Sequence, residues 1–346
     1  MIPYVPGEQP KEKLIKLNTN ENPYPPSPKV LEAIRSAANQ DLRLYPDPEG
    51  SGLRETIAGY YGLSVDQVFL GNGSDEILAF CFQAFFSPGE TIIFPDITYT
   101  FYPVYCDLFD IPYRTIPLDD HFAIPVHAFC GNNKGIVLAN PNAPTGKAIP
   151  ICKIRTILAE NPNGVVLVDE AYVDFGGDSA VNLINQYPNL VVVKTMSKSH
   201  SLAGLRVGYA LGDPNLIEAL NCVKNSFNSY TMDRLALAGG EAAIRDDAYN
   251  RAVVAKVALT RDKVAAQLKN MGFLVTDSAA NFLFISHEKA PAKELFTFLR
   301  ARGILVRYFN KPRIDNYLRV TVGTEEEMET FCTTVQEILE EHYYAV

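Results

Sequence analysis

The chain has 346 residues, 47% hydrophobic and 21% charged, a composition of the soluble globular kind and a length that exceeds one ordinary compact core and suits about two lobes. Its net charge of -9 and pI near 5.2 argue against a nucleic-acid partner, because an acidic surface repels phosphate backbones, while local Arg and backbone N–H groups can still hold a small anion. Cys81, Cys106, Cys130, Cys152, Cys222 and Cys332 are scattered with no CxxC pair, and the five histidines form no HxH or HExxH cluster, so reduced thiols in a cytoplasmic protein and no metal site are expected.

The N-terminus, MIPYVPGEQPKEKLIKL, is broken by three prolines and has no apolar signal core. No later run approaches the roughly 18 apolar residues that span a bilayer. Residues 22–28 read NPYPPSP, and Ser27-Pro28 followed by Val30, Leu31, Ile34 and Ala37 is the pattern of an N-cap and an N1 proline opening a helix. From about residue 66 short β-branched runs follow one another: VFL (68–70), TIIF (91–94), GIVLAN (135–140), VVLVDE (165–170), LVVVKT (190–195) and RVGYAL (206–211). Helix-like stretches such as 74–86 and 214–224 separate most of them. Continuous apolar strands alternating with helices predict an α/β fold with a mostly parallel sheet covered by helices on both faces, and ligand sites at the carboxyl ends of its strands.

The pattern changes after that. Residues 231–270 read as long helix, and then come NFLFIS (281–286), a helix near 291–302, ILVRYF (304–309), YLRVTV (317–322) and a terminal helix from Thr324. This predicts a smaller α+β unit. The expected organisation is an N-terminal arm and helix over 1–40 packing with the small unit, a large ligand-binding domain over 41–245, and a small C-terminal domain over 246–346.

The chemistry-bearing residues sit at successive strand ends. After VFL comes Gly71-Asn72-Gly73-Ser74-Asp75 and a helix, whose free N–H groups and positive dipole end suit a phosphate, although a tight turn capped by Ser74 or Asp75 explains the residues equally well. After GIVLAN comes the rigid loop Pro141-Asn142-Ala143-Pro144-Thr145-Gly146, in which Asn142 either presents its amide to a ligand or folds its own turn. VVLV runs into Asp169-Glu170-Ala171-Tyr172. Asp169 continues the strand toward the site, and Glu170 reads as a solvated or helix-capping acid. After LVVVKT come Ser197, Lys198 and His200, with Arg206 eight residues past the lysine. A lysine among small residues at a strand end can be partly desolvated, which makes its amine a nucleophile toward an aldehyde, and a hydroxyl with a guanidinium suits a phosphate. A loop lysine in water is the bland alternative. In YLRVTV, Arg319 faces the opposite side from Leu318 and Val320, either into a site or into solvent, and Arg307 carries the same ambiguity.

Taken in order, these features resemble the aspartate-aminotransferase-like (fold type I) superfamily of pyridoxal-phosphate enzymes over nearly the whole chain. Within it the sequence is most similar to the histidinol-phosphate aminotransferases, through LNTNENPYPPSP (17–28), YPDPEG (45–50), GNGSDE (71–76), NPNAPTG (140–146), VDEAY (168–172), SLAGLRVGY (201–209) and the C-terminal ILVRYFNKP and YLRVTVGT segments. The resemblance implies pyridoxal 5'-phosphate held as a Schiff base on Lys198, with Asp169 paired to the ring nitrogen so that the ring takes up electrons. It implies Asn142 and Tyr172 on the phenolic oxygen, Tyr99 stacked on the ring, and Ser74, Asp75, Ser197, Arg206 and Tyr45 around the phosphate, with Tyr45 reaching in from the other subunit of a homodimer. Arg319 would clamp the substrate, and Arg307 and Asn22 would line its phosphate side. Ala143 stands where the family often has a second Asn, and His200 where it commonly has an aromatic ring; neither is given a catalytic role. The implied reaction is ping-pong amino transfer between L-histidinol phosphate with 2-oxoglutarate and imidazole acetol phosphate with L-glutamate, in histidine biosynthesis. An aromatic-amino-acid aminotransferase and a decarboxylase of the same fold are the rival enzymes, and a cofactor-binding protein without turnover is the rival outside enzymes.

Overall fold

Seven short strands form one sheet in the computed structural model, which describes residues 3–344. From one edge their order is Val68–Asn72, Val207–Gly212, Leu190–Thr195, Val165–Asp169, Gly135–Ala139, Ile92–Pro95 and Tyr113–Ile116. All pair in parallel except Val207–Gly212, which is antiparallel to both of its neighbours. Alternate residues feed two cores. Val166, Val168 and Val192 point to one, where helices Ser51–Tyr61, Ile151–Glu160 and Arg234–Arg245 pack. Leu167, Val191 and Val193 point to the other, against Gly73–Phe85, Tyr102–Leu108 and Pro214–Phe227. Burial on both faces is why these strands are continuous apolar runs, and the mostly parallel, doubly covered sheet expected from them is present. The edge strand Tyr113–Ile116 has three exposed residues and no apolar run, so nothing in the sequence marked it.

A further core gathers residues from Val257 onward together with Leu17 and Phe175. Its four-stranded sheet is antiparallel, in the order Arg307–Tyr308, Leu318–Thr321, Phe282–His287, Phe273–Val275. Helices Asp247–Asn270, Ala292–Ala301 and Glu325–His342 supply its apolar partners.

The first forty residues divide between the cores instead of packing with the smaller one alone. Ile15–Lys16 pairs in parallel with Ile304–Leu305, and Leu17 enters the smaller core. The helix Pro28–Ala37 starts as its sequence says, with the Ser27 hydroxyl accepting from the Lys29 N–H at 3.2 Å. Its Val30 and Ile34, however, join the large core against Arg234–Arg245, where a side chain at Gly239 would press on Ile34 at 3.1 Å. The expected continuous helix over 231–270 is broken at Asp246, whose carboxylate accepts from Ser27 Oγ and, at 2.7 Å, from Lys29 Nζ. All six cysteines are free thiols, and no helix of the described residues is long and apolar enough to cross a membrane.

Candidate functional site

The parallel strands deliver their carboxyl ends to one edge of the sheet, and the antiparallel Val207–Gly212 delivers its amino end, Arg206, to the same edge. Residues beyond those ends, together with the strap 18–20 and the small sheet, enclose a cavity of about 550 Å³. Lys198 lies on its wall. Its loop is fixed by Met196 N–H donating to Val207 O at 2.9 Å and Leu202 N–H donating to Met196 O at 3.0 Å. The amine donates to the Thr19 carbonyl at 3.1 Å and stands 5.8 Å from the centre of the Tyr172 ring. Burial first, then the Arg319 charge, pulls its pKa down to about 8. An amine of this kind is part unprotonated near neutrality and competent to attack a carbonyl carbon.

Asp169 ends its strand inside the wall. Tyr102 Oη donates to one carboxylate oxygen at 2.9 Å and the Ala171 N–H to the other at 3.2 Å. Burial nevertheless raises this carboxyl to about 6, against those hydrogen bonds, with no cation facing it among the described residues. Of the two expected roles for Glu170, the capping one fits and the solvated one does not: it is buried, pairs with Lys194 at 3.2 Å, accepts from the Ala180 N–H at 2.6 Å where the short helix Ala180–Leu183 opens, and does not line the cavity.

At one end of the cavity Ser74 and Asp75 open the helix Gly73–Phe85 beside Thr195, Ser197, Lys198 and Arg206. Gly73 has φ +78, and a side chain there would run into the Arg206 guanidinium. A side chain at Gly208 would lie 2.7 Å from the Ser74 nitrogen, so two glycines let the turn and the strand close into a cradle of N–H groups. Arg206 bonds Asp75 at 3.2 Å, and Tyr99 Oη donates to the other Asp75 oxygen at 2.9 Å, holding its ring over the cavity.

At the other end Arg307 and Arg319 are cross-strand partners on the small sheet. Leu318 and Val320 are core, so the alternation does turn Arg319 into the cavity and away from solvent. Arg319 donates to the Asn18 carbonyl at 2.9 Å, its buried Nε has no partner among the described residues, and Phe282 and Phe309 flank its guanidinium at 5.4 and 5.7 Å. Among the described residues neither arginine pairs with a carboxylate. Burial lowers the Arg319 pKa, and Arg307 adds to the effect.

Ser74, Asp75, Tyr99, Asp169, Tyr172, Ser197, Lys198, Arg206, Arg307 and Arg319 therefore meet around one cavity. Three expected residues do not line it. Asn142 is buried in its loop with its amide spent: Nδ2 donates to Ile97 O at 2.9 Å and Thr145 Oγ1 at 3.1 Å, and Oδ1 accepts from Thr98 at 2.8 Å. Ala143 faces the cavity in its stead, beside Tyr172. Asn22 lies behind the lysine, donating to the Lys198 and Ser199 carbonyls at 3.0 and 3.3 Å, and so supports the loop without reaching the substrate side. Tyr45 is 77% exposed, stacks on Tyr230 at 4.6 Å and does not line this chain's own cavity. The structure adds Tyr102, Thr195 and Asn20, whose side chains were indistinguishable in sequence from ordinary core and turn residues, and Tyr4, which stacks on Phe101 at 4.4 Å over the cavity.

The aminotransferase class I and II family model matches residues 12–335. A histidinol-phosphate aminotransferase of Clostridium acetobutylicum is 55% identical over 338 residues, spanning 97% of this chain and 96% of that protein. Histidinol-phosphate aminotransferase 1 of Hydrogenovibrio crunogenus is 54% identical across 98% of this chain and 96% of its own length. Among solved structures, histidinol-phosphate aminotransferase from Sinorhizobium meliloti in complex with pyridoxal-5'-phosphate shares the fold with a TM-score of 0.86 at 25% identity, over 95% of this chain and 92% of that one. With the strand-end lysine, aspartate and arginine in place around one cavity, the chain belongs to the class I and II aminotransferases.

Proposed function

We propose that this chain is a pyridoxal-phosphate-dependent histidinol-phosphate aminotransferase, exchanging an amino group between L-histidinol phosphate with 2-oxoglutarate and imidazole acetol phosphate with L-glutamate. The observation that carries the substrate reading is the pair Arg307 and Arg319, turned into the cavity without a protein carboxylate between them. Two adjacent guanidiniums suit a phosphate in one half-reaction and a carboxylate in the other, as a ping-pong enzyme with a single site requires. The relatives named for this activity support it.

The residues present fit the cofactor. Asp169 is a buried carboxylate lacking a cation, which a protonated ring nitrogen supplies, and the glycine-lined turn takes a phosphate that added side chains would exclude. When bound, pyridoxal phosphate supplies an electrophilic carbon and a ring that stores the electron pair released at the substrate carbon. Ser74 and Asp75 N–H groups, Ser197, Thr195 and Arg206 would hold its phosphate, and Tyr99 would cover the ring. Lys198 would hold the aldehyde carbon and, once released, would move a proton at the substrate carbon; its lowered pKa keeps the amine available as a base. The aromatic wall of Tyr4, Tyr99, Phe101 and Phe309 suits an imidazole, and it also favours the second reading, an aromatic amino donor.

We place Tyr45 across a homodimer interface, at the partner's phosphate end, in a cytoplasmic enzyme. Its exposure and its stack on Tyr230 support that placement. Mixing Tyr45→Ala with Lys198→Ala subunits should restore activity that neither variant has alone, since one of the two sites is then intact; no recovery counts against a shared site.

The activity itself is tested by recording the absorption spectrum with pyridoxal phosphate and then adding histidinol phosphate and 2-oxoglutarate. A visible band and glutamate formation are expected. Glutamate from phenylalanine or tyrosine alone moves the assignment to aromatic donors. Carbon dioxide from a phosphorylated amino acid moves it to a decarboxylase.

A further inference from the structure

We propose that Asn20 is a positioning residue that fixes the direction of the Tyr172 hydroxyl proton, making Tyr172 the donor to the anionic ring oxygen of the cofactor on a wall where this chain has no asparagine. The inference rests on the cofactor reading above. It starts from an absence filled in an unexpected way. Ala143 faces the cavity with a methyl group, and Asn142 next to it has no N–H left to give. Tyr172, beside Ala143 on that wall, would then supply the donor to the ring oxygen, and its value as a donor depends on where its single proton points.

Asn20 decides that direction. It is 1% exposed and sits in the left-handed region at φ 57. Its backbone N–H donates to Thr321 Oγ1 at 2.9 Å, and Thr321 Oγ1 donates in turn to Asn20 Oδ1 at 3.0 Å. Asn281 Nδ2 donates to the Asn20 carbonyl at 3.0 Å. Because Oδ1 is taken by the threonine hydroxyl, Nδ2 is the atom that meets Tyr172 Oη, at 3.0 Å. An amide N–H only donates, so Tyr172 accepts from Asn20, and its own proton is left for a partner in the cavity. A flipped amide would place Oδ1 against Tyr172 and turn the phenol proton away from the cavity. The Thr321 hydroxyl opposes that flip, which would forfeit its bond to Oδ1, and so ties the direction of the Tyr172 proton to a strand of the small sheet.

Other charges face Tyr172 as well. Lys198 lies 5.8 Å from its ring centre, and Arg319, Asp169 and Asp75 act on it through space. Burial holds the phenol above its ordinary pKa despite Arg319 and the Asn20 bond, so Tyr172 remains a neutral donor at physiological pH. None of these groups orients the proton, since none bonds Tyr172 Oη.

The test is the pH titration of the visible band of the holoenzyme. A donor to the ring oxygen takes up charge that otherwise holds the proton shared with the Lys198 nitrogen, so losing the donor raises the pH at which the band changes. Two substitutions tolerate the left-handed backbone: Asn20→Gly removes the amide, and Asn20→Asp presents only acceptors. We expect the spectroscopic midpoint to rise by about one pH unit in Asn20→Gly and by more in Asn20→Asp, each unit being a tenfold change in proton affinity. In a Tyr172→Phe background, where no proton remains to be aimed, Asn20→Gly should add nothing. Asn20→Gly titrating with the wild type, or shifting the midpoint equally in both backgrounds, overturns the proposal and leaves Asn20 as a strap residue. A wild-type protein with no visible band would instead overturn the cofactor reading, so the two failures are distinct.

Discussion

Asp169→Asn separates what the site costs the fold from what it gives the cofactor. In the cofactor-free protein, burial raises this carboxyl from 3.8 to about 6, a difference of about 2 units and, at 1.36 kcal/mol per unit, about 3 kcal/mol. The sign follows from proton counting. Between about pH 4 and 6 the folded state binds this proton more tightly than the unfolded chain, so its contribution is fully present below the unfolded value and is lost as pH rises through about 6. Asparagine has no such proton, is nearly isosteric and still accepts from Tyr102. The amide NH2 that replaces the other oxygen cannot accept from the Ala171 N–H, which costs about 1–3 kcal/mol, so the variant without cofactor should be as stable as wild type or up to about 2 kcal/mol more stable at pH 7.5. The advantage should shrink toward pH 4.5. With pyridoxal phosphate bound the order should reverse, because the ring nitrogen loses its anion. Urea unfolding of both proteins, with and without cofactor, at the two pH values gives the comparison. A variant less stable by the same amount at both pH values would refute the reasoning, for it would mean that the buried carboxylate carries no desolvation penalty.

Tyr102→Phe removes a hydrogen bond that lowers the Asp169 pKa, so the carboxyl should titrate higher still, and cofactor affinity measured by fluorescence should fall about tenfold or more. Lys198→Ala should abolish the visible band and reduce turnover by at least about 10²–10⁴-fold, the range of one general base; retained turnover would remove the lysine from the chemistry. Arg319→Met should lower kcat/KM by about 2–5 kcal/mol equivalent with both glutamate and histidinol phosphate, and a loss confined to one of them would assign the other to Arg307. Lys194→Met leaves Glu170 buried without its cation and should cost about 3–5 kcal/mol of stability in urea unfolding, with the visible band kept; unchanged stability would show that Ser179 and the Ala180 N–H satisfy Glu170 unaided.

The parts of this molecule legible in the sequence are those where one physical requirement acts on a contiguous run. Strands buried on both faces have to be apolar throughout, and that places Asp169 and Lys198 at one sheet edge; Arg206 joins them only because Val207–Gly212 runs antiparallel, which the sequence did not show. The alternation in YLRVTV likewise turns Arg319 away from Leu318 and Val320, though only the second core shows that the turned side is a cavity. What stayed hidden depends on pairings far apart in the chain. The helix Pro28–Ala37 has an apolar face, but only Gly239, some two hundred residues on, shows that this face belongs to the large core. The break at Asp246 is of the same kind, since its partners are Ser27 and Lys29. Tyr102 and Thr195 are anonymous by composition, as buried tyrosines and strand-end threonines usually are.

The loop 140–146 shows why motif and role part company even where the motif is sound. Its two asparagines and two prolines announce a rigid turn, and the family resemblance made Asn142 the candidate for the ring. Thr145 within the turn, and Ile97 O and Thr98 from the preceding strand's loop, take all that one amide can give. The side chain beside it then decides what the cavity wall offers, and here it is the methyl of Ala143. A substitution that looks minor in sequence thus moves the demand for a ring-oxygen donor onto Tyr172, and through Tyr172 onto Asn20 and Thr321. The strap 18–22 meets that demand because it already crosses the site, bonding Arg319 through Asn18, Lys198 through Thr19 and the lysine loop through Asn22. Its residues look like a polar turn in isolation. In the fold they connect the lysine, the tyrosine and the substrate arginine, so a change in the strap should alter cofactor and substrate binding together and not one at a time.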